Sequence, residues 1–246
     1  MKKILIVILL LGVSSPFQVF AESRVGIYGG TFDPPHAGHM SAIRAAIAAG
    51  ELNEVIILVS ENSARKPDST NVTMRRELSQ HLFGEVLNRE FPNVNIRLLE
   101  EGSEALEVYR NGVPGREGSR GGFSSFAEYM AENTAAEDRL FIVAGSDVLN
   151  NPDGTGAPIV QQNVRYLGIN REGEPVRGDL GSHVTAITPE HSTSSTTIRG
   201  DLAEGRRNAD LNPWVYETIQ GRHTRRNCTT VLDRIRGALQ QADGRR

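Results

Sequence analysis

The sequence predicts an α/β fold: a doubly wound, mostly parallel sheet with helices on both faces. Two patterns carry that expectation. Short apolar runs that read as buried strands, such as VIILV at 55–59 and LFIVA at 140–144, alternate with stretches of helical character. The connections between them are long enough for the crossovers that parallel strands need. Size agrees, since 246 residues with 38% hydrophobic and 23% charged side chains suffice for one sizeable α/β domain or two small ones.

Taken in order, Val25–Tyr28 reads as a strand and His39–Ala49 as an alanine-rich helix. Glu54–Ser60 reads as a fully buried strand, Thr73–Asn88 as a helix and Val94–Leu98 as a third strand. Glu100–Gly122 is rich in Gly, Arg, Ser and Glu and sparse in apolar residues, so a flexible, exposed loop is expected there. Phe123–Glu132 looks helical, and Leu140–Ala144, Val164–Ile169 and Val184–Ile187 read as strands. Helices follow near Ser194–Glu204 and Pro213–Gln220. The body of the fold is therefore expected over residues 22–221. A basic tail, 222–246, closes the chain with one short amphipathic stretch at Val231–Leu239.

The first 21 residues have a different character. A basic start (Lys2, Lys3), an apolar run over Ile4–Val13 and a small-residue junction at Val19-Phe20-Ala21 match a secretory signal peptide. The run is shorter than the ~20 residues a spanning helix needs, so no stable membrane span is expected after processing. An uncleaved anchor is the alternative. The leader implies an exported, periplasmic or secreted protein. Cys228 is the sole cysteine, which rules out an intramolecular disulfide. A net charge of −3 argues against a general binder of nucleic-acid polymers. Small anions would have to be held by local donors.

Such donors gather in GGTFDPPHAGH, residues 29–39, directly after the first strand. In open parallel sheets ligands sit beyond the carboxyl ends of the strands, so this turn falls at the usual crevice. Gly29 and Gly30 lack side chains, which lets backbone N–H groups approach a phosphate. Pro34 and Pro35 keep the preceding residues extended, so a helix begins no earlier than Pro35. His36 and His39, three apart, then share one face of its first turn, at the positive end of the helix. Gly38 clears room for a ligand across the helix start. A glycine turn with purely structural histidines is the plainer alternative.

A second cluster lies near the end, SSTTIR at 194–199. Thr193 or Ser194 can cap a helix whose free N–H groups bind an anion. Arg199, four residues after Ser195, shares its face and leans back toward the same anion. A capped helix with a surface arginine is the alternative here.

GGTFDPPHAGHM resembles the first signature of the nicotinate or nicotinamide mononucleotide adenylyltransferases, within the nucleotidyltransferase superfamily that shares His-x-Gly-His, and SSTTIR resembles their second. The resemblance spans roughly Arg24 to Gly221 and implies a Rossmann-like nucleotidyltransferase fold. It further implies adenylyl transfer from ATP to the phosphate of a mononucleotide, with pyrophosphate released and Mg²⁺ carried on the phosphates. No carboxylate cluster suggests a metal site of the protein's own.

Together the resemblance and the spacing assign His36, His39 and Arg199 to catalysis, with His39 nearest the α-phosphate. Gly29, Gly30, Thr31, Phe32, Ser194, Ser195 and Thr196 would line the phosphates. Gly145-Ser-Asp147 resembles the family's Gly-x-Asp, whose aspartate holds the ATP ribose. Lys66, Arg75 and Ser125 match weaker family positions at the acceptor or at a phosphate. One departure stands out: the tryptophan usual a few residues after Gly-x-Asp is missing, and the lone Trp214 lies in a C-terminal helix. The acceptor could then differ, as in the pantetheine-phosphate adenylyltransferases or cytidylyltransferases that share the histidine element. A secreted nucleotide-binding module without catalysis is the alternative from another class.

Overall fold

The computed structural model describes residues 22–61, 69–116, 121–135, 138–151 and 163–220. The leader at 1–21, Lys66, Cys228 and the tail at 222–246 lie outside the described residues. Six strands form one sheet: β1 (Arg24–Gly30), β2 (Glu54–Val59), β3 (Asn95–Leu98), β4 (Arg139–Gly145), β5 (Val164–Ile169) and β6 (Val184–Ile187). Their order is β3-β2-β1-β4-β5-β6, and every neighbouring pair runs parallel. The chain builds outward from β1 to β3, then restarts beside β1 with β4. That reversal leaves a crevice at the carboxyl ends of β1 and β4, where Gly29, Gly30 and Gly145 lie.

Both faces of the four inner strands, β2, β1, β4 and β5, are buried, which explains why they read as continuous apolar runs. In β2, Val55, Ile57 and Val59 pack to one side, where Ile43 and Ile47 of α1 (Ala37–Gly50) and Leu82 and Phe83 meet them. Ile56 and Leu58 point the other way, toward Leu106 of α4 (Glu104–Asn111) and Phe126 of α5 (Phe123–Glu132). A third apolar cluster joins Leu78 of α2 (Val72–Ser79), Ile198 and Leu202 of α7 (Ser195–Ala203), and Val215 and Ile219 of α8 (Pro213–Ile219). It ties the last two helices to the body beside the crevice.

Several expectations change at their edges. Helix α1 begins at Ala37, with His36 as its extended N-cap (φ −153°, ψ 176°), so both prolines and His36 stand outside the helix. The Asp33–Pro34 peptide is cis. The helix expected over 73–88 starts as α2, capped by Asn71 Oδ1 on the Thr73 N–H at 2.7 Å. It then widens into a π-helical segment, Gln80–Leu87, and closes with the single turn α3 (Asn88–Glu90). Leu82, Phe83 and Leu87 are all buried in that segment, and the wider turn carries successive apolar residues onto the core.

The loop expected over 100–122 contains helix α4. Ser103 Oγ caps it by accepting from the Leu106 N–H at 3.3 Å, and Leu106 and Val108 are buried. Arg110 ties it to Glu61 at 2.7 Å and to Glu101 at 2.9 Å. Two apolar anchors and an ion-pair network suffice to fold a segment whose composition is otherwise polar. Among the described residues no helix is long and apolar enough to cross a membrane.

Candidate active site

The loop after β1 is built around an aromatic wedge. Phe32 is 1% exposed and adopts φ 48°, a left-handed conformation uncommon for a bulky residue. Its ring packs edge-on against Tyr28 (5.4 Å between centroids), His39 (4.9 Å) and Phe83 (5.2 Å). Here the two preceding glycines serve close packing. A Cβ on Gly30 would lie 2.8 Å from the Phe32 ring, and one on Gly29 would lie 2.5 Å from the ring of Phe123. The Phe32 ring is thus a buried support beneath His39, which leaves only its backbone for the phosphate contact expected of this residue.

Two hydrogen-bond systems hold the loop. Asp33, 5% exposed, accepts from the Thr70 N–H at 3.1 Å and the Thr70 hydroxyl at 2.5 Å. Arg75 is fully buried and donates to three carbonyls, Thr70 at 2.8 Å, Thr31 at 2.7 Å and Ser60 at 2.6 Å. It is therefore neither a surface arginine nor a side chain turned to a ligand. Burial lowers its proton affinity, and the charge of Asp33 opposes that effect.

His36 and His39 stack with ring centroids 3.7 Å apart. His36 is 2% exposed, and neither ring nitrogen has a hydrogen-bond partner among the described residues. Desolvation lowers its pKa to about 4; Asp210 opposes that shift, and Arg171 and Arg199 add to it. At neutral pH the ring is uncharged, so it can donate through one nitrogen only.

The second cluster meets the first. Ser194 caps α7 by accepting from the Thr197 N–H at 3.1 Å. The Arg199 Nη1 group donates to the Asp33 carbonyl at 2.6 Å, and Ser195 Oγ donates to the Pro34 carbonyl at 3.3 Å. Arg199 Nη2 lies 3.3 Å from Thr196 Oγ1. Gly38 permits the approach, because a Cβ there would sit 2.7 Å from the Thr193 carbonyl oxygen. Ser195 and Pro34, 161 residues apart in the chain, thus meet at one end of the sheet. The two segments bring two imidazoles, the start of α7 and a guanidinium together, groups of the kinds that bind polyphosphates.

Asp147 opens the short helix α6 (Ser146–Leu149) directly after β4, half-exposed and paired with Arg171 at 3.0 Å. Arg171 was not anticipated, although it stands two residues past the carboxyl end of β5, where the strand-end rule points. Its charge acts on both His36 and Tyr28. Ser125 occupies the first turn of α5, two residues from the Phe123 ring over Gly29. Trp214 stacks on His81 with centroids 4.0 Å apart and packs with the third apolar cluster. Among the described residues no group of three or more His, Cys, Asp or Glu side chains could hold a metal ion.

Known proteins resemble this chain in sequence and in fold. A relative from Shouchella clausii, described as a probable nicotinate-nucleotide adenylyltransferase, is 26% identical over 186 residues, covering 74% of this chain and 86% of its own. One from Thermus thermophilus with the same description is 26% identical over 202 residues, covering 80% of this chain and 94% of its own. In structure, the Plasmodium falciparum nicotinic acid mononucleotide adenylyltransferase complexed with NaAD superposes with a TM-score of 0.59 over 81% of this chain and 96% of that one, at 14% identity. It shares the fold. A family model described as cytidylyltransferase-like matches residues 27–201, and the chain belongs to that family.

Proposed function

We propose that the protein transfers the adenylyl group of ATP to the phosphate of a mononucleotide, with nicotinate mononucleotide the first candidate, and releases pyrophosphate. One observation carries this reading: Arg199 and Ser195 are hydrogen-bonded to the backbone of the loop that ends at His36 and leads into the helix of His39. The descriptions of the relatives support the choice of acceptor.

An oxygen of the acceptor phosphate attacks the α-phosphorus in line. The bond from that phosphorus to the bridging oxygen breaks, and pyrophosphate leaves with the electron pair. The nucleophile is already ionised at neutral pH, so no general base is needed. The protein's task is positioning and charge stabilisation. His39 contacts the α-phosphate, and His36, neutral and with no partner for its ring nitrogens among the described residues, donates one N–H to the triphosphate. Arg199 and the first turn of α7, with Ser194, Ser195 and Thr196, take the charge that grows on the leaving group. Asp147 holds the ribose hydroxyls once Arg171 turns to the phosphates. Mg²⁺ would enter as part of the ATP substrate, carried on its phosphates.

The test offers ATP, Mg²⁺ and a panel of mononucleotides and 4′-phosphopantetheine to the purified protein, with CTP as an alternative donor. Pyrophosphate release with one acceptor supports the reading. ATP binding without turnover on any acceptor would favour a non-catalytic nucleotide-binding module. The order of residues 1–21 supports export, and an N-terminus near Glu22 on protein recovered outside the cytoplasm tests it.

A further inference from the structure

Asp210 belongs to neither signature segment, yet it touches the first and the residue that leads into the second. Its backbone carbonyl accepts from the Ala37 N–H, the first of helix α1, at 2.8 Å. Its carboxylate Oδ2 accepts from the hydroxyl of Thr193, the residue just before the cap of α7. The Thr193 carbonyl in turn lies against Gly38. We propose that Asp210 is a positioning residue that fixes the first turn of α1 against the entrance to α7, and so sets the distance between the histidine pair and the Ser195–Arg199 face.

The turn that carries Asp210 is rooted in α7 itself. Asn208 Oδ1 accepts from the Asp210 N–H at 2.9 Å, and Asn208 Nδ2 donates to Asp201 Oδ2 at 2.6 Å. Arg206 holds the other oxygen of Asp201 at 2.7 Å. Leu211, 2% exposed, packs with Ile198 and Leu202 on the inner side of the same helix. A path of hydrogen bonds thus runs from the last turn of α7, through Asp201, Asn208 and Asp210, to the start of α1. His36 has no side-chain cap of its own to offer that helix, so Asp210 does part of a cap's work from a distant segment.

A carboxylate beside a proposed anion cradle is a poor choice on charge alone, because it repels phosphate. Its engagement by Thr193 keeps that oxygen off the ligand. Its charge also opposes that of Arg171 and Arg199 at His36.

The inference rests on the adenylyl-transfer reading, and the experiment separates the two. Asp210→Ala and Thr193→Val remove the same hydrogen bond from opposite ends. Each is expected to lower kcat/KM about tenfold or more, mainly through kcat, since small misplacements of reacting groups are costly. The double variant should be no worse than the poorer single one, the mark of a shared interaction. Asp210→Asn, whose amide oxygen still accepts from Thr193, should recover most of the rate. Melting temperatures are measured alongside to exclude partial unfolding. Normal kcat/KM in both single variants, or losses that multiply in the double, would overturn the clamp and leave the function standing. A wild-type protein that transfers nothing sinks the functional reading; the clamp is then decided by ATP affinity. Weaker binding in both variants upholds it, and unchanged or absent binding overturns it.

Discussion

On the α2 side of the loop 31–39, Arg75 is fully enclosed and gives its donors to the carbonyls of Thr31, Ser60 and Thr70. On the α7 side, Arg199 is partly exposed and gives one donor to the Asp33 carbonyl, while Nη2 faces Thr196 at the helix start. Arg199 was expected at the phosphates and Arg75 around the acceptor or a phosphate, and both hold the loop's backbone. Burial is what separates them. A guanidinium inside the protein with its N–H groups on carbonyls can shape a site only through the backbone. One at the rim can hold the backbone with one edge and a ligand with the other.

The widest test of that contrast removes the rim groups. Arg199→Ala and His39→Ala should each cut turnover by ~10²–10³, the usual effect of losing one electrostatic donor, and Arg199→Ala should cost only about 1 kcal/mol of stability, for the one carbonyl it leaves unpaired. Arg199→Lys should rescue poorly, since an ammonium cannot serve carbonyl and phosphate with a planar fork. Near-normal pyrophosphate release from His39→Ala would show that this loop is misassigned.

Arg75→Met should do the reverse. It leaves three inward-facing carbonyls without their donor, at ~1–3 kcal/mol for each buried group left unpaired. A loss of about 3 kcal/mol or more is expected in chemical denaturation, with turnover per folded molecule falling far less than in Arg199→Ala. Equal losses of turnover in the two variants, with stability intact in both, would erase the distinction.

The sheet and both signature segments were legible in the sequence because each carries its own local rule. VIILV and LFIVA are too apolar for anything exposed, and GGTFDPPHAGH and SSTTIR fix a turn and a helix start within a few residues. What stayed hidden depends on partners far away in the chain. Nothing near Arg75 announces that its donors reach Thr31, 44 residues earlier. Asp210 sits in an ordinary polar turn and matters through Ala37 and Thr193. The π-helical widening at Gln80–Leu87 preserves the apolar spacing of a plain helix closely enough to escape notice. Helix α4 is masked by its polar composition, since only Leu106 and Val108 anchor it in the core. Lys66 falls outside the described residues, so its assignment rests on the motif alone.

A smaller effect is expected on the enclosed flank from Thr70→Val. The hydroxyl at 2.5 Å and the N–H at 3.1 Å both serve the Asp33 carboxylate, and the substitution removes only the first. Bonds to charged groups contribute ~1.5–3 kcal/mol, so a loss near the lower end is expected, with the backbone donor still in place. KM for ATP should change less than twofold, because this flank acts through the loop's shape. A large rise in KM from Thr70→Val would move the enclosed side into direct contact with the substrate.

The gentlest probe is pH, and it reads the rim through His36. Burial lowers its pKa to about 4 from the ordinary 6.5; Asp210 pulls the other way, and Arg171 and Arg199 reinforce the shift. Between those values the unfolded chain binds a proton that the folded chain refuses, so acid favours unfolding. The contribution is whole above pH 6.5, shrinks as pH falls toward 4 and is constant below, with a slope of at most ~1.4 kcal/mol per pH unit. Denaturation free energies of the wild type and His36→Gln at pH 7.5 and pH 5 isolate it, since the other titrating groups act alike in both. The wild type should lose more stability over that interval than the variant does. Parallel losses would mean that His36 takes up its proton freely in the folded protein, and that the rim is wetter than its 2% exposure implies.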